Sequence, residues 1–121
     1  MAFLIRDDQT GGVLLMAPDV FEITPQMKQA LHSADAVLFD GTFWSEDELG
    51  SVKGGARAAS AMGHLPIRNG SLEILADCPA RHRIYLHINN TNPILRSNSS
   101  ERQAVEKAGI AIGSDGMEFE L

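Results

Sequence analysis

The sequence predicts an α/β protein with a largely parallel sheet, and three observations predict it. Ala36-Val37-Leu38-Phe39 is a continuous apolar run, and Arg83–Ile88 holds a second one in Ile84-Tyr85-Leu86. Such runs suit strands buried on both faces. Segments with helix signals alternate with these strands, the pattern that favours parallel pairing. The chain has 121 residues, enough for one small domain with a modest core.

Ala2–Arg6 and Gly12–Ala17 read as two short strands joined by the turn-rich Asp7-Asp8-Gln9-Thr10-Gly11. Thr24-Pro25 opens a helix, with Thr as N-cap and Pro at the first helical position, where its missing N–H costs nothing. That helix carries Met27, Ala30 and Leu31 on one face and ends near Ser33. Ser45-Glu46-Asp47-Glu48 has the form of a capping box starting a short helix. Gly50–Ala61 reads as a flexible loop running into a small-residue helix, and Ser71–Ala76 as a further helix. A last helix spans Asn98–Lys107, capped through Asn98 and Glu101 or through Ser100 and Gln103, and stopped by Gly109. Ile110–Ile112 and Met117–Phe119 are short strand candidates. There is no internal repeat, low-complexity segment or linker.

Composition narrows the function classes. Net charge is −6 with no basic stripe, which excludes counterion-releasing attachment to nucleic acid. The apolar runs are too short to span a bilayer. Met1–Ile5 is followed at once by Arg6, Asp7 and Asp8, so no secretory leader is expected. Cys78 is the single cysteine, which rules out an internal disulfide, suits a reducing cytoplasmic setting, and reads as a small loop residue. The expectation is a soluble cytoplasmic domain that binds neither nucleic acid nor membrane.

Ligands of open α/β sheets gather beyond the carboxyl ends of the strands. Here one apolar strand runs into Asp40-Gly41-Thr42 and the other into His87-Ile88-Asn89-Asn90-Thr91-Asn92-Pro93. Between them His64 sits in a Gly/Pro-bounded turn, Met62-Gly63-His64-Leu65-Pro66-Ile67. Asp, His and His at three such places suggest one cleft. Carboxylate and neutral imidazole are the right ligand types for a metal, although no close pair of HxH form exists. The bland alternative for His87 is a strand-end imidazole bonded to a backbone carbonyl. Asp19 ends the second strand and reads either as a fourth member of the cleft or as a turn residue. Trp44 is a pocket wall or a stacking surface. Asn89, Asn90 and Asn92 either fix a polar substrate or hold a turn through their own backbone. His32 sits near a helix C-terminus, where a cation meets the helix dipole favourably, and His82 between two arginines reads as solvated.

Leu38–Trp44, Met62–Ile67 and His87–Leu95 resemble three signature blocks of the coenzyme PQQ synthesis protein B family, PqqB, a branch of the metallo-β-lactamase-like superfamily. Ser100-Glu101-Arg102 and Asp115–Glu118 resemble its closing blocks in the same order. The resemblance implies the C-terminal half of an αββα sandwich, with residues 1–121 as one partial domain. It implies His87 and Asp19 as metal ligands and His64 with Asp40 as the catalytic pair. Thr42, Trp44, Asn89, Asn90 and Asn92 are then candidate substrate contacts. The family's principal HxHxDH-type motif has no counterpart here, since no His precedes His32. Iron or zinc is accordingly expected only with the missing N-terminal half, and the chain alone is expected to be inactive. For a complete protein the resemblance implies an iron-dependent hydroxylation of a tyrosine-derived PQQ precursor, small or peptide-borne. The alternatives are a PQQ carrier and a metal-dependent hydrolase. One sheet face should be bare, favouring association with another copy or with a separately supplied N-terminal half.

Overall fold

The computed structural model describes residues 1–52, 54–55 and 57–121. Lys53 and Ala56, within the loop expected over Gly50–Ala61, lie outside the described residues. Strands β1 (Phe3–Arg6), β2 (Val13–Ala17), β3 (Ala36–Asp40), β4 (His82–Leu86) and β5 (Ala111–Ile112) form one sheet in the order β1-β2-β3-β4-β5. β1 pairs antiparallel with β2, and the remaining neighbours pair parallel. Helices α1 (Pro25–Ser33), α2 (Glu48–Val52), α3 (Leu72–Ala76) and α4 (Ser100–Lys107) occupy the connections. None is long and apolar enough to cross a membrane among the described residues.

Local chemistry explains most boundaries. The Thr24 hydroxyl accepts the Met27 N–H at 3.1 Å, which caps α1 as expected. α4 is capped by Ser99, whose hydroxyl accepts the Arg102 N–H at 3.0 Å, and not by Asn98 or Ser100. Gly109 then takes φ +80° and ends the helix turn. β4 stops at Leu86, two residues short of the Arg83–Ile88 expectation, because His87 adopts φ +58° and turns the chain out of the sheet. Met117–Phe119 forms no strand. That segment crosses the sheet instead, with the Phe119 ring 5.2 Å from that of His82.

The register shows how the sheet uses its two faces. Leu15 lies beside Val37, and Ala17 beside Phe39, which lies beside Tyr85. These residues are buried in one core with Leu31, Leu75, Ile94 and Val105 from the helical layer. Cys78 is part of this core, its thiol donating to the Leu31 carbonyl, so the expected loop cysteine is a buried one. On the other face Phe3 lies beside Met16, Met16 beside Leu38, and Leu38 beside Ile84. Phe3 and Ile5 are exposed, while Met16, Leu38 and Leu86 are only half-buried. The apolar runs thus encode burial on both faces, but only one face is covered by helices. This is half of a sandwich.

One polar pair sits inside the covered core. The Ser71 and Tyr85 hydroxyls lie 2.7 Å apart, both residues fully buried, and burial pushes the Tyr85 phenol above its ordinary ionisation range. Replacing Tyr85 by Phe strands the Ser71 hydroxyl and should cost about 1–3 kcal/mol. The urea midpoint should fall in Tyr85→Phe and largely recover when Ser71→Ala is added. An unchanged midpoint in the single variant would show that the pair contributes nothing.

Candidate metal centre

Three chain segments meet beyond the carboxyl ends of β2, β3 and β4. The first is the Asp19–Val20 turn after β2, the second Asp40–Thr42 after β3, and the third His87 after β4. A fourth, the His64 turn, is tied to the first by Leu65 N–H donating to Val20 O at 2.6 Å, and is closed locally by His64 N–H donating to Ala59 O at 3.1 Å. Gly63 makes this turn possible by taking φ +84°, which a side chain would resist.

Asp40 is the hub. It is 0% exposed, and a buried carboxylate is costly unless its lone pairs are satisfied. Oδ1 accepts the Thr42 N–H at 3.0 Å and the Thr42 hydroxyl at 2.6 Å. Oδ2 accepts the Val20 N–H at 2.9 Å and lies 2.7 Å from His64 Nδ1. Those four contacts fill the roughly four acceptor positions a carboxylate has. Nδ1 of His64 must therefore carry the proton it gives to Asp40, which leaves its Nε2 as the lone-pair nitrogen.

The same reasoning reaches His87 through Thr42. The Thr42 hydroxyl has one proton and three neighbours: Asp40 Oδ1 at 2.6 Å, the His87 carbonyl at 2.9 Å and His87 Nδ1 at 3.0 Å. A hydroxyl proton given to Nδ1 would leave bare oxygens facing each other at the two shorter contacts. The hydroxyl proton goes to Asp40 Oδ1, the shortest of the three contacts, and Nδ1–H of His87 then donates to Thr42. His87, like His64, is then left with a free Nε2. The two rings stand 5.7 Å apart at 43°.

One oxygen of Asp40 and one nitrogen of each imidazole fall within 4.8 Å of one another, close enough to hold a metal ion. Both Asp40 oxygens already accept from donors, and these contacts orient the two imidazoles, the carboxylate–histidine arrangement that fixes tautomers in metal sites. Asp19 lies at the rim, 63% exposed, with an oxygen 3.7 Å from His64 Nδ1. The chain thus brings two imidazoles together, with one exposed carboxylate beside His64.

The expected substrate contacts divide by burial. Thr42 is buried and spent on Asp40 and His87, and Trp44 packs half-buried against the core. Asn92 is 2% exposed. Its amide donates to Gly41 O at 2.9 Å and its oxygen accepts Ile94 N–H at 3.1 Å, so it staples two loops. Asn89 donates to Thr91. Asn90 alone of the three is exposed. Sequence reasoning missed Glu48, placed in a helix cap but in fact 7% exposed, with its carboxylate accepting from Trp44 N–H at 2.7 Å and from the Thr91 hydroxyl. Burial raises its pKa above the ordinary carboxylate value. The density of Thr and Asn facing it was the available signal.

Asp40→Asn places an amide N–H against at least one buried donor, so stability should fall by at least about 1–3 kcal/mol. Long-range proton–nitrogen spectra of the metal-free chain should show His64 and His87 protonated at Nδ1. Both rings should lose that preference in the variant. A wild-type chain with both rings protonated at Nε2 would refute the hub.

Residues 1–88 match the family model described as a beta-lactamase superfamily domain. Coenzyme PQQ synthesis protein B of Pseudomonas putida is 39% identical over 123 aligned residues, spanning 100% of this chain and 41% of that protein. The Cupriavidus necator protein of the same name is 41% identical over 119 residues, 97% of this chain and 39% of its own length. The crystal structure of zinc-bound PqqB from Methylobacterium extorquens superposes with a TM-score of 0.91 at 34% identity, covering 99% of this chain and 43% of that one. The chain therefore spans about two fifths of the length of these relatives. A five-stranded half-sandwich with two tautomer-locked histidines, matched along its whole length by such proteins, belongs to the beta-lactamase superfamily and is PqqB-like within it.

Proposed function

We propose that this chain is the C-terminal half of a PqqB-type protein of pyrroloquinoline quinone biosynthesis, and that the complete form is a metal-dependent hydroxylase of a tyrosine-derived precursor. The observation that carries the metal reading is the pair of imidazoles held with free Nε2 atoms by one buried carboxylate. A catalytic metal takes about three protein ligands and keeps an open position. His64 and His87 would supply two, and Asp19 is in reach as a third. A redox-active iron would supply oxygen activation for ring hydroxylation.

The chain's own residues would do the rest. Asp40 holds His64 oriented and compensates any positive charge that develops on its ring. Protons would move at His64 and Asp40, in a cleft where Phe43 closes one side with its ring edge-on to His64 at 5.7 Å. Asn90 and Asn89 stand at the loop that would face a polar precursor. The uncovered sheet face beside His87 is where the remaining half would pack, bringing further ligands with it. Zinc in the Methylobacterium relative favours a second reading, a hydrolase using metal-activated water.

In the full-length or complemented protein, His87→Ala should abolish stoichiometric metal binding, read by elemental analysis after gel filtration. Metal content equal to wild type would refute its ligand role. Iron with ring-hydroxylating turnover supports the first reading. Zinc with hydrolytic turnover only would replace it by the second.

A further inference from the structure

Glu48 has no place in the chemistry above, yet its carboxylate is buried and that burial raises its pKa. A capping role does not explain that burial, because capping glutamates sit at solvent-facing helix starts. One carboxylate oxygen does serve the local turn by accepting the Trp44 N–H. The other reaches across to the Thr91 hydroxyl, 43 residues further along the chain. Thr91 in turn accepts from the Asn89 side-chain amide at 2.6 Å. The Asn89 backbone N–H then returns to Thr42 O at 3.0 Å. A closed circuit results: Glu48, Thr91, Asn89, Thr42, and back along the chain to Glu48.

His87 lies just outside this circuit, immediately before the clamped 89–92 segment. Its φ of +58° is a left-handed backbone that a non-glycine residue keeps only when its surroundings impose it. Thr42 grips both the carbonyl and the ring of His87. That grip requires the two loops to stay in register. Asn92 secures one end of the loop pair through Gly41 O, and Glu48 secures the other. His64 is held by different contacts, to Ala59, Val20 and Asp40.

We infer that Glu48 is a positioning residue for His87: its bond to Thr91 holds the 87–92 loop so that Thr42 can fix the ring with Nε2 free. The inference rests on His87 being a ligand only for its effect on metal affinity. The effect on the ring stands independently.

The test uses the 121-residue chain in four forms: wild type, Glu48→Ala, Thr91→Val and the conservative variant Glu48→Gln. Long-range proton–nitrogen spectra report the protonated nitrogen of each ring, and cobalt titration by visible absorption reports metal affinity. In Glu48→Ala and Thr91→Val the His87 ring should lose its Nδ1–H preference while His64 keeps it. Metal affinity should fall about 10- to 100-fold, the usual range for losing an outer partner of a ligand. Glu48→Gln keeps an acceptor for Trp44 and a polar group against Thr91, and should restore most of both. Thr91→Val removes no buried charge and serves where Glu48→Ala fails to fold. A His87 ring unchanged in a folded variant overturns the inference, as does an equal change in both rings. A selective His87 response in a chain whose wild type binds no cobalt still supports the positioning role, and agrees with a metal site completed only by the other half.

Discussion

The buried carboxylate of Asp40 is the constraint on which the site depends. It has no solvent to satisfy it, so it must collect donors from whatever surrounds it. The donors it collects come from three separate segments: Val20 after β2, Thr42 after β3 and His64 in the turn that follows. Removing any one leaves a lone pair unmet in a dry environment. The convergence of distant loops is therefore not a separate feature from the fold. It is how the sheet's carboxyl edge closes over a charge.

That closure transmits chemical information. A histidine is ambiguous until something decides which nitrogen holds the proton. Asp40 decides directly for His64 and, through the single proton of Thr42, for His87. Both rings consequently present the same nitrogen, although they come from different turns with different backbone conformations. His87 carries the larger conformational burden because its left-handed φ is imposed on a residue with a Cβ. The stitched loops 41–48 and 87–92 provide what holds it there.

The sequence made the strands, the Thr24-Pro25 helix start and the Asp40–His64–His87 cluster legible, because each leaves a local mark. Continuous apolar runs, a Thr-Pro cap and polar residues at strand ends are all readable within a few positions. The end of β4 was not readable, since Leu86 and Ile88 look alike to any pattern and only the Thr42 contact turns His87 outward. The cap of α4 fell on Ser99 and not on its neighbours because three adjacent residues, Asn98, Ser99 and Ser100, cap equally well in isolation. Ser99 wins by also giving its hydroxyl proton to Pro93 O at 2.7 Å. Glu48 was hidden for a similar reason. Its sequence neighbours describe a surface turn, and its partner lies 43 residues away. What the sequence could not show of Asp40 is its complete burial and the four donors gathered on its carboxylate, which depend on Val20, Thr42 and His64 meeting in space.

The uncovered sheet face joins these points. Met16, Leu38, Ile84 and Leu86 form an apolar stripe that ends at His87, and a cavity of about 420 Å³ lies between this stripe and Met117 and Phe119. Apolar residues alternating on both faces of β2 and β3 are chosen for a sheet with cover on each side. A layer placed over that stripe would also remove water from the side of the site where His87 lines the cavity. Covering the face would then also lower the local dielectric beside His87, so the stability of the sheet and the environment of the imidazole are set by the same contact.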